Sequence, residues 1–364
     1  MDTHLLAVAG GHEKADLVVT NGQIVNVYTG EVYPGGVAVA GARIAAVGEV
    51  DYAIGPETEI VDAGGQYIVP GFVEGHIHPE SSNLSPVRFA EIVLAHGTTS
   101  VFTDLHEAGI VGGMPAIDAA LEEGRSTPLK WHLVMPSHVP FSVGLETSGA
   151  HITSEDIIAA LERDDVVGIS EIVSLYVAFG DPDLLKSIEA TRAARKTLAG
   201  HGPDTSGPAW NVFAAAGIGN DHEALTADDI LLRARNGVYA HLRHNPVVPA
   251  MPDLIKAITE TGIDTRRVCL VTDDTDPIAL VEQGHIDHLV RLSLSLGVDF
   301  VDAIQMVTLN VAESYGKSGD LGGLAPGRFA DINVTTGPEA FKVLKTIADG
   351  QLVAQDGKLV VPVE

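Results

Sequence analysis

Between residues 71 and 320 the chain alternates short apolar runs with longer stretches of helical periodicity, and this alternation limits the fold more than any other feature. Parallel strands joined by crossover helices are the arrangement that such alternation feeds. Eight runs are expected as strands: Phe72–His76, Thr99–Thr103, Trp131–Met135, Val166–Glu171, Thr197–His201, the weaker Gly217–Gly219, Val238–Leu242 and Arg267–Thr272. Eight such strands close into a (β/α)8 TIM barrel. Helices are expected at Pro86–Ala95, Ser154–Arg163, Asp183–Lys196, Ala227–Arg235 and Pro252–Thr261, with Pro86 in an opening turn and Ser154 as an N-cap. From Ile278 to Tyr315 the chain reads as mostly helical, and its apolar stripe reads as core.

Both termini have another texture. Residues 16–70 hold runs of four to six residues between Gly-rich turns, with Asn21-Gly22 as a hairpin signal, and the segment after Leu324-Ala325-Pro326-Gly327 repeats that pattern. Two half-sandwiches at opposite ends of a chain can bury each other's apolar faces. The expected organisation is therefore a small composite β-sandwich domain from residues 1–70 and 321–364, around an α/β barrel at 71–320.

Composition narrows the partners. A formal charge of -27 repels nucleic acid and anionic membrane surfaces, so neither is an expected partner; a small-molecule substrate is expected, and a homo-oligomer is possible. Cys269 is the only cysteine, so no disulfide can form within the chain. Met1 to Ala15 carries no basic stretch followed by a sustained apolar core, and no apolar run approaches the ~20 residues that span a bilayer. A cytoplasmic protein is the expectation.

In a barrel of this kind chemistry is built where strands end at the C-terminal face. His76 and His78, one residue apart on a strand, point to the same side, which alone is weak evidence for a metal. The other strand ends supply the weight. They carry Asp104, His106 and Glu107; Ser137 and His138; Glu171; His201; Asp221, His222 and Glu223; Arg243 and His244; and Asp273 and Asp274. Imidazoles and carboxylates converging on one point need a cation to offset desolvation and like-charge repulsion, and this N/O mixture suits Zn, Mn or Fe. His76, His78, His201, His222 and Asp273 exceed the ligand count of one tetrahedral ion, and Glu171 stands where it can bridge, so two divalent transition-metal ions are expected.

The chain also resembles a known family on a long set of segments. They include Pro70-Gly71-Phe72 through Ser82, Ala95-His96-Gly97-Thr98-Thr99, Asp104-Leu105-His106-Glu107, Pro136-Ser137-His138-Val139-Pro140 and Gly200-His201-Gly202-Pro203. Asp221-His222-Glu223, Thr272-Asp273-Asp274, Gly284-His285-Ile286-Asp287 and Leu324 to Asp331 complete the set. With them the chain is similar to the amidohydrolase superfamily, and within it to adenine deaminases of the long bacterial type, whose large additional C-terminal domain is expected to be lacking here. The resemblance implies that His76 and His78 bind the buried metal, that Glu171 takes the bridging place, and that His201 and His222 bind the second ion. Asp273 would contact metal and relay the proton of a metal-bridging hydroxide, which makes Asp273 and Glu171 the catalytic pair.

Glu80, Ser81, His106, His138, Arg243, His244 and Asp274 are the candidate substrate contacts. For Ser81 a loop-capping role is equally open, and Asp104, His106 and Glu107 could instead support the ligands or form an extra cation site. His285 reads as structural or substrate-adjacent; His132 and His241 read as ordinary core or surface histidines. His138, His244 and the Thr275-Asp276-Pro277 run depart from the family's usual residues, and all lie on the substrate side. The expected function is a binuclear metal-dependent hydrolase that deaminates adenine or a related aminated heterocycle. The alternatives are hydrolysis of a cyclic or exocyclic amide or a lactone by the same machinery, and a non-catalytic metal-binding homologue.

Overall fold

The computed structural model describes residues 2–142 and 144–362. Its centre is a ring of parallel strands: β1 (Phe72–His78), β2 (Thr98–Thr103), β3 (Lys130–Pro136), β4 (Val166–Val173), β5 (Thr197–His201), β6 (Asn220–Asp221), β7 (Tyr239–Arg243) and β8 (Val268–Val271, resuming after Thr272 as Asp273–Asp274). Each strand pairs with the next in chain order. The ring closes through β8, whose first segment pairs with β7 and whose second pairs with β1, Asp273 opposite Ile77 and Asp274 opposite His78. Every residue of β1, β2 and β4 is buried, as strands covered on both faces require.

The expected barrel is thus present, with β6 starting directly after the weak run Gly217–Gly219 read for it. Pro86–Ala95 is helical as read, and it buries Phe89, Ala90, Val93 and Leu94 against the outside of the ring. Phe89, Val93 and Leu94 each contribute about 1.5–3 kcal/mol by leaving water. Ala227–Arg235 is also as read. Ser154 is not an N-cap: Thr153 is, because its hydroxyl accepts from the N–H of Asp156 while the Asp156 carboxylate turns back to Thr153. The stretch read as one helix at Pro252–Thr261 forms two short turns, Met251–Leu254 and Lys256–Thr259.

The lower end of the barrel is plugged. Val73, Phe102, Val134, Val167, Ala199 and Cys269 pack inward against Val311, Ala312, Tyr315 and Leu321 from the chain that follows β8. Tyr315 stacks on Phe102 at 3.9 Å between centroids and its hydroxyl donates to the Gly75 carbonyl at 2.7 Å. This floor leaves only the upper end of the strands open to build a site.

A second sheet draws strands from both termini: Tyr67–Pro70 pairs with Ile332–Thr335 on one side and with Leu17–Asn26 on the other. Leu17, Val19, Val37 and Val39 share one apolar cluster with Ile332, Val334 and Ile347, so the two ends complete each other's core. Asn21-Gly22 makes no hairpin. It lies in an irregularity within the single strand Leu17–Asn26, where Asn21 takes a φ of 54° and the register to the next strand shifts. A helix at Thr3–Ala9, absent from the sequence reading, is capped by Asp2 and covers the sheet's other face through Val8, beside Val18 and Ala38. Sheet and barrel meet at Gly97, whose carbonyl accepts from Phe72 N–H at 2.9 Å and Asn333 Nδ2 at 2.8 Å. A Cβ there would stand 2.7 Å from Asn333 Nδ2, so only glycine fits. Among the described residues no helix is long and apolar enough to cross a membrane.

Candidate metal centre

The strand ends bring six side chains to one point. His76 and His78 stand on the same side of β1, and the His76 ring stacks on that of His222 with centroids 3.8 Å apart. Glu171 reaches between them, with Oε1 at 3.4 Å from both His76 Nε2 and His222 Nε2 and Oε2 at 2.8 Å from His201 Nδ1. Asp273 Oδ1 lies 3.5 Å from His76 Nε2 and 3.4 Å from His78 Nε2. Four groups of possible ligands overlap here: His76, His78 and Asp273; His76, Glu171 and His222; His201, His222 and Glu223; and His78, Asp104 and Glu171.

These spacings fit a cation. Separations of 3.4–3.5 Å are long for hydrogen bonds. Two ligands at about 2.1 Å from one ion, at a tetrahedral angle, stand about 3.4 Å apart. His76 Nε2 and Glu171 Oε1 are buried with no hydrogen-bond partner among the described residues, a costly state unless another group satisfies them. Glu171 and Asp273 also adopt left-handed backbone, φ 57° and 60°, which costs on the order of 1–3 kcal/mol each and turns their carboxylates inward at the strand ends.

The electrostatics agree. Burial would neutralise Asp273, yet His76, His78 and Arg243 hold its carboxyl well below the usual range; Glu171 is likewise lowered by His201 and His76 against the effect of burial. Burial, then the neighbouring His76, His201 and Arg243, keep His222 neutral, the form that ligates. Arg243 Nη1 contacts Asp273 Oδ2 and Glu223 Oε1 at 2.6 Å each, so the guanidinium ties the two carboxylates together.

Around this centre the remaining candidates separate. Asp104, fully buried, contacts His78 Nδ1 at 2.9 Å and leaves Nε2 turned to the cluster, an arrangement that fixes a ligand's tautomer. Glu80 accepts from Ala108 N–H at 3.2 Å, and burial with the nearby charge of Glu107 raises its carboxyl to about 7. The Ser81 hydroxyl donates to the His78 carbonyl at 2.7 Å and accepts from Thr275 N–H at 3.0 Å, which staples the loop after β1 to that after β8. Asp274 is half-buried beside it.

Above the cluster lies a cavity of about 420 Å3, with His78, Glu171 and His201 below and His106, Glu107, Ile110, Phe141, Leu145 and Glu146 around it. His138 and His244 line other cavities. His138 faces a groove it shares with Tyr176, and His244 a smaller space shared with His285 and His288.

Three contributors escaped the sequence reading. Glu223 stood in view beside His222, but a set already complete gave no reason to add it. Phe141 lies in an aperiodic loop with no signal of its own. Glu74 was legible as an acid inside an otherwise apolar strand, and it closes the barrel. Its Oε1 accepts from His76 N–H at 3.0 Å, and Oε2 accepts from Thr272 N–H at 3.0 Å and the Thr272 hydroxyl at 2.7 Å. The carboxylate thus takes over where β8 breaks, holding the backbone of two ligand-bearing strands; burial raises it to about 7 against the pull of those donors.

Comparison with known proteins places these features. A model of the amidohydrolase family matches residues 67–353. The chain is 42% identical to an adenine deaminase of Moorella thermoacetica, across 98% of this chain and 60% of that protein. It is 43% identical to an adenine deaminase of Rubrobacter xylanophilus, across 100% of this chain and 61% of that one. It therefore spans about 60% of the length of these curated relatives. Among solved structures it is similar in fold to molinate hydrolase, with a TM-score of 0.69 and 16% identity over 95% of both chains. The β-aspartyl dipeptidase of Fervidobacterium islandicum gives 0.69 and 17% over 95% of this chain and 99% of that one.

Proposed function

The chain belongs to the amidohydrolase family, and on that premise we propose that it is a metal-dependent hydrolase that deaminates adenine or a related aminated heterocycle in the cytoplasm. The observation that carries the reading is the buried convergence of His76, His78, Glu171, His201, His222, Glu223 and Asp273, with His76 Nε2 and Glu171 Oε1 left unpartnered at spacings that suit ligands of a cation. Adenine enters as substrate class from the relatives that bear that activity in their names.

His76, His78 and Asp273 would hold one divalent ion and His201, His222 and Glu223 a second, with Glu171 between them; Mn, Fe and Zn suit this donor set. Such ions, when bound, make water nucleophilic near neutral pH and stabilise developing negative charge. The chain's own residues do the rest. Arg243 holds Asp273 Oδ2, which fixes the carboxylate with Oδ1 toward the cluster, and Asp273 is the group placed there to take a proton from water and deliver it to the departing amine. Asp104 keeps His78 oriented, and Glu74 keeps the ligand-bearing ends of β1 and β8 in register. The net change is water added and ammonia lost at one ring carbon, leaving a carbonyl.

Ammonia release from an aminopurine panel by metal-loaded protein tests the proposal. Turnover on at least one aminated ring, abolished by chelator and restored by added metal, is expected. Turnover confined to lactones or ring amides would replace it with the alternative reading.

A further inference from the structure

We propose that Phe141 is a wall on which a planar, unsaturated ring stacks in the cavity above the ligand cluster, and that His138, Tyr176 and Glu146 are the positioning residues that hold it there. The choice of a heterocycle rests on the proposed deamination; the stacking wall rests on geometry alone.

Phe141 separates two spaces, the cavity over the ligands and the groove behind it. On the groove side its ring lies parallel to His138, with centroids 5.5 Å apart and 8° between planes. On the cluster side its centroid lies 5.5 Å from that of His106 and 5.6 Å from that of His201, with both imidazoles steeply inclined to its plane. A ligand seated at the His201 end of the cluster therefore lies beside the Phe141 ring, which lines the same cavity. Stacking of a base on such a surface is worth about 1–3 kcal/mol, whereas a saturated ring gains only from burial.

Loop residues are seldom this constrained. The Phe141 carbonyl accepts from the Tyr176 hydroxyl at 3.2 Å and from His138 Nε2 at 3.0 Å, and His138 Nδ1 lies 2.8 Å from the Ser137 hydroxyl. Its N–H donates to the Glu146 carboxylate, which also takes the Ser142 N–H at 3.3 Å. Both backbone polar groups of one residue are thus fixed by side chains, while Leu145 on the same loop is 89% exposed. This assigns His138 a role through Phe141.

Calorimetric titration of metal-loaded protein with purine, a planar probe without an amine to lose, and with δ-valerolactam, a saturated one, tests the wall. Phe141→Leu, with metal content and circular dichroism matched to wild type, is expected to weaken purine about tenfold and the lactam less than about twofold, while Phe141→Tyr retains purine binding. His138→Ala weakens purine by a smaller factor, and His138→Gln, whose amide can donate to the same carbonyl, recovers it. An equal loss for both probes in Phe141→Leu, no loss for purine, or wild-type protein that binds the lactam and not purine would overturn the inference. If purine binding falls as expected but no aminated ring releases ammonia, the wall stands and the deamination proposal fails.

Discussion

Histidines occur at two levels of this barrel, and their surroundings differ more than their positions. At the strand ends His76, His78 and His201 face Glu171, Asp104 and Asp273, which raise their affinity for a proton against the effect of burial. Away from the carboxylates His241, buried beneath Gly75 and beside Tyr315, is pushed down to about 3 by burial. His285 is also pushed to about 3; it touches Thr98 and approaches Glu74 without joining the cluster. Residue type therefore does not mark the site. What marks it is imidazole and carboxylate together with ligand atoms left unpaired, and Glu74 stands at the border, bonded upward to His76 and sideways to Thr272.

Breaking the upper level has the largest expected effect. Glu171→Gln removes the charge that lies between His76, His201 and His222, and is expected to lower kcat by at least about a thousandfold together with loss of bound metal, read by single-turnover kinetics and elemental analysis. A variant that keeps both metal and activity would show that the cluster's centre is misidentified.

Cutting the border comes next. Glu74→Ala leaves Thr272 N–H, the Thr272 hydroxyl and His76 N–H unpaired in a buried seam, with an expected cost of about 3 kcal/mol in denaturant unfolding and weaker metal binding. Glu74→Gln, which retains one acceptor oxygen, is expected to lose less. Equal stability in all three proteins would remove Glu74 from the account of barrel closure.

The lower level gives the smallest effect and the clearest sign. A histidine held neutral to about pH 3 binds fewer protons in the fold than in the unfolded chain between there and pH 6.5, so stability falls as pH drops across that window. Glu74 and Glu80, raised to about 7, work the other way between about pH 4.5 and 7, so the net loss is steepest below 4.5. His241→Leu removes one such proton and should flatten the acid limb by about 1.4 kcal/mol per pH unit, with a change under about 1 kcal/mol at pH 7. An unchanged acid limb would contradict the neutral state assigned to the lower histidines.

Much of this architecture was legible in the sequence because burial on both faces leaves continuous apolar runs, and polar residues at their ends stand out. The six expected ligands converge for that reason. The Asn21-Gly22 turn was misread because a bulge inside a strand needs the same positive φ as a hairpin. Helix Thr3–Ala9 carries no long apolar stripe; only Val8 is buried. Phe141 was invisible since its position depends on His138, Glu146 and Tyr176, contacts that no local pattern encodes. The histidines and carboxylates that cluster were readable from local pattern and the position of Phe141 was not, as expected when strands fix side chains by their period and a loop is placed by tertiary contacts.

The central claim, that these strand ends form a divalent-metal centre for hydrolytic deamination, is tested most directly by adding metal to apo-protein while following conversion of adenine and ammonia release. Activity that rises with bound metal to a plateau near two ions per chain, and that never appears in Glu171→Gln, is the predicted result. Full activity in metal-free protein, or two bound ions with no release of ammonia from adenine or any related aminated heterocycle, would contradict it.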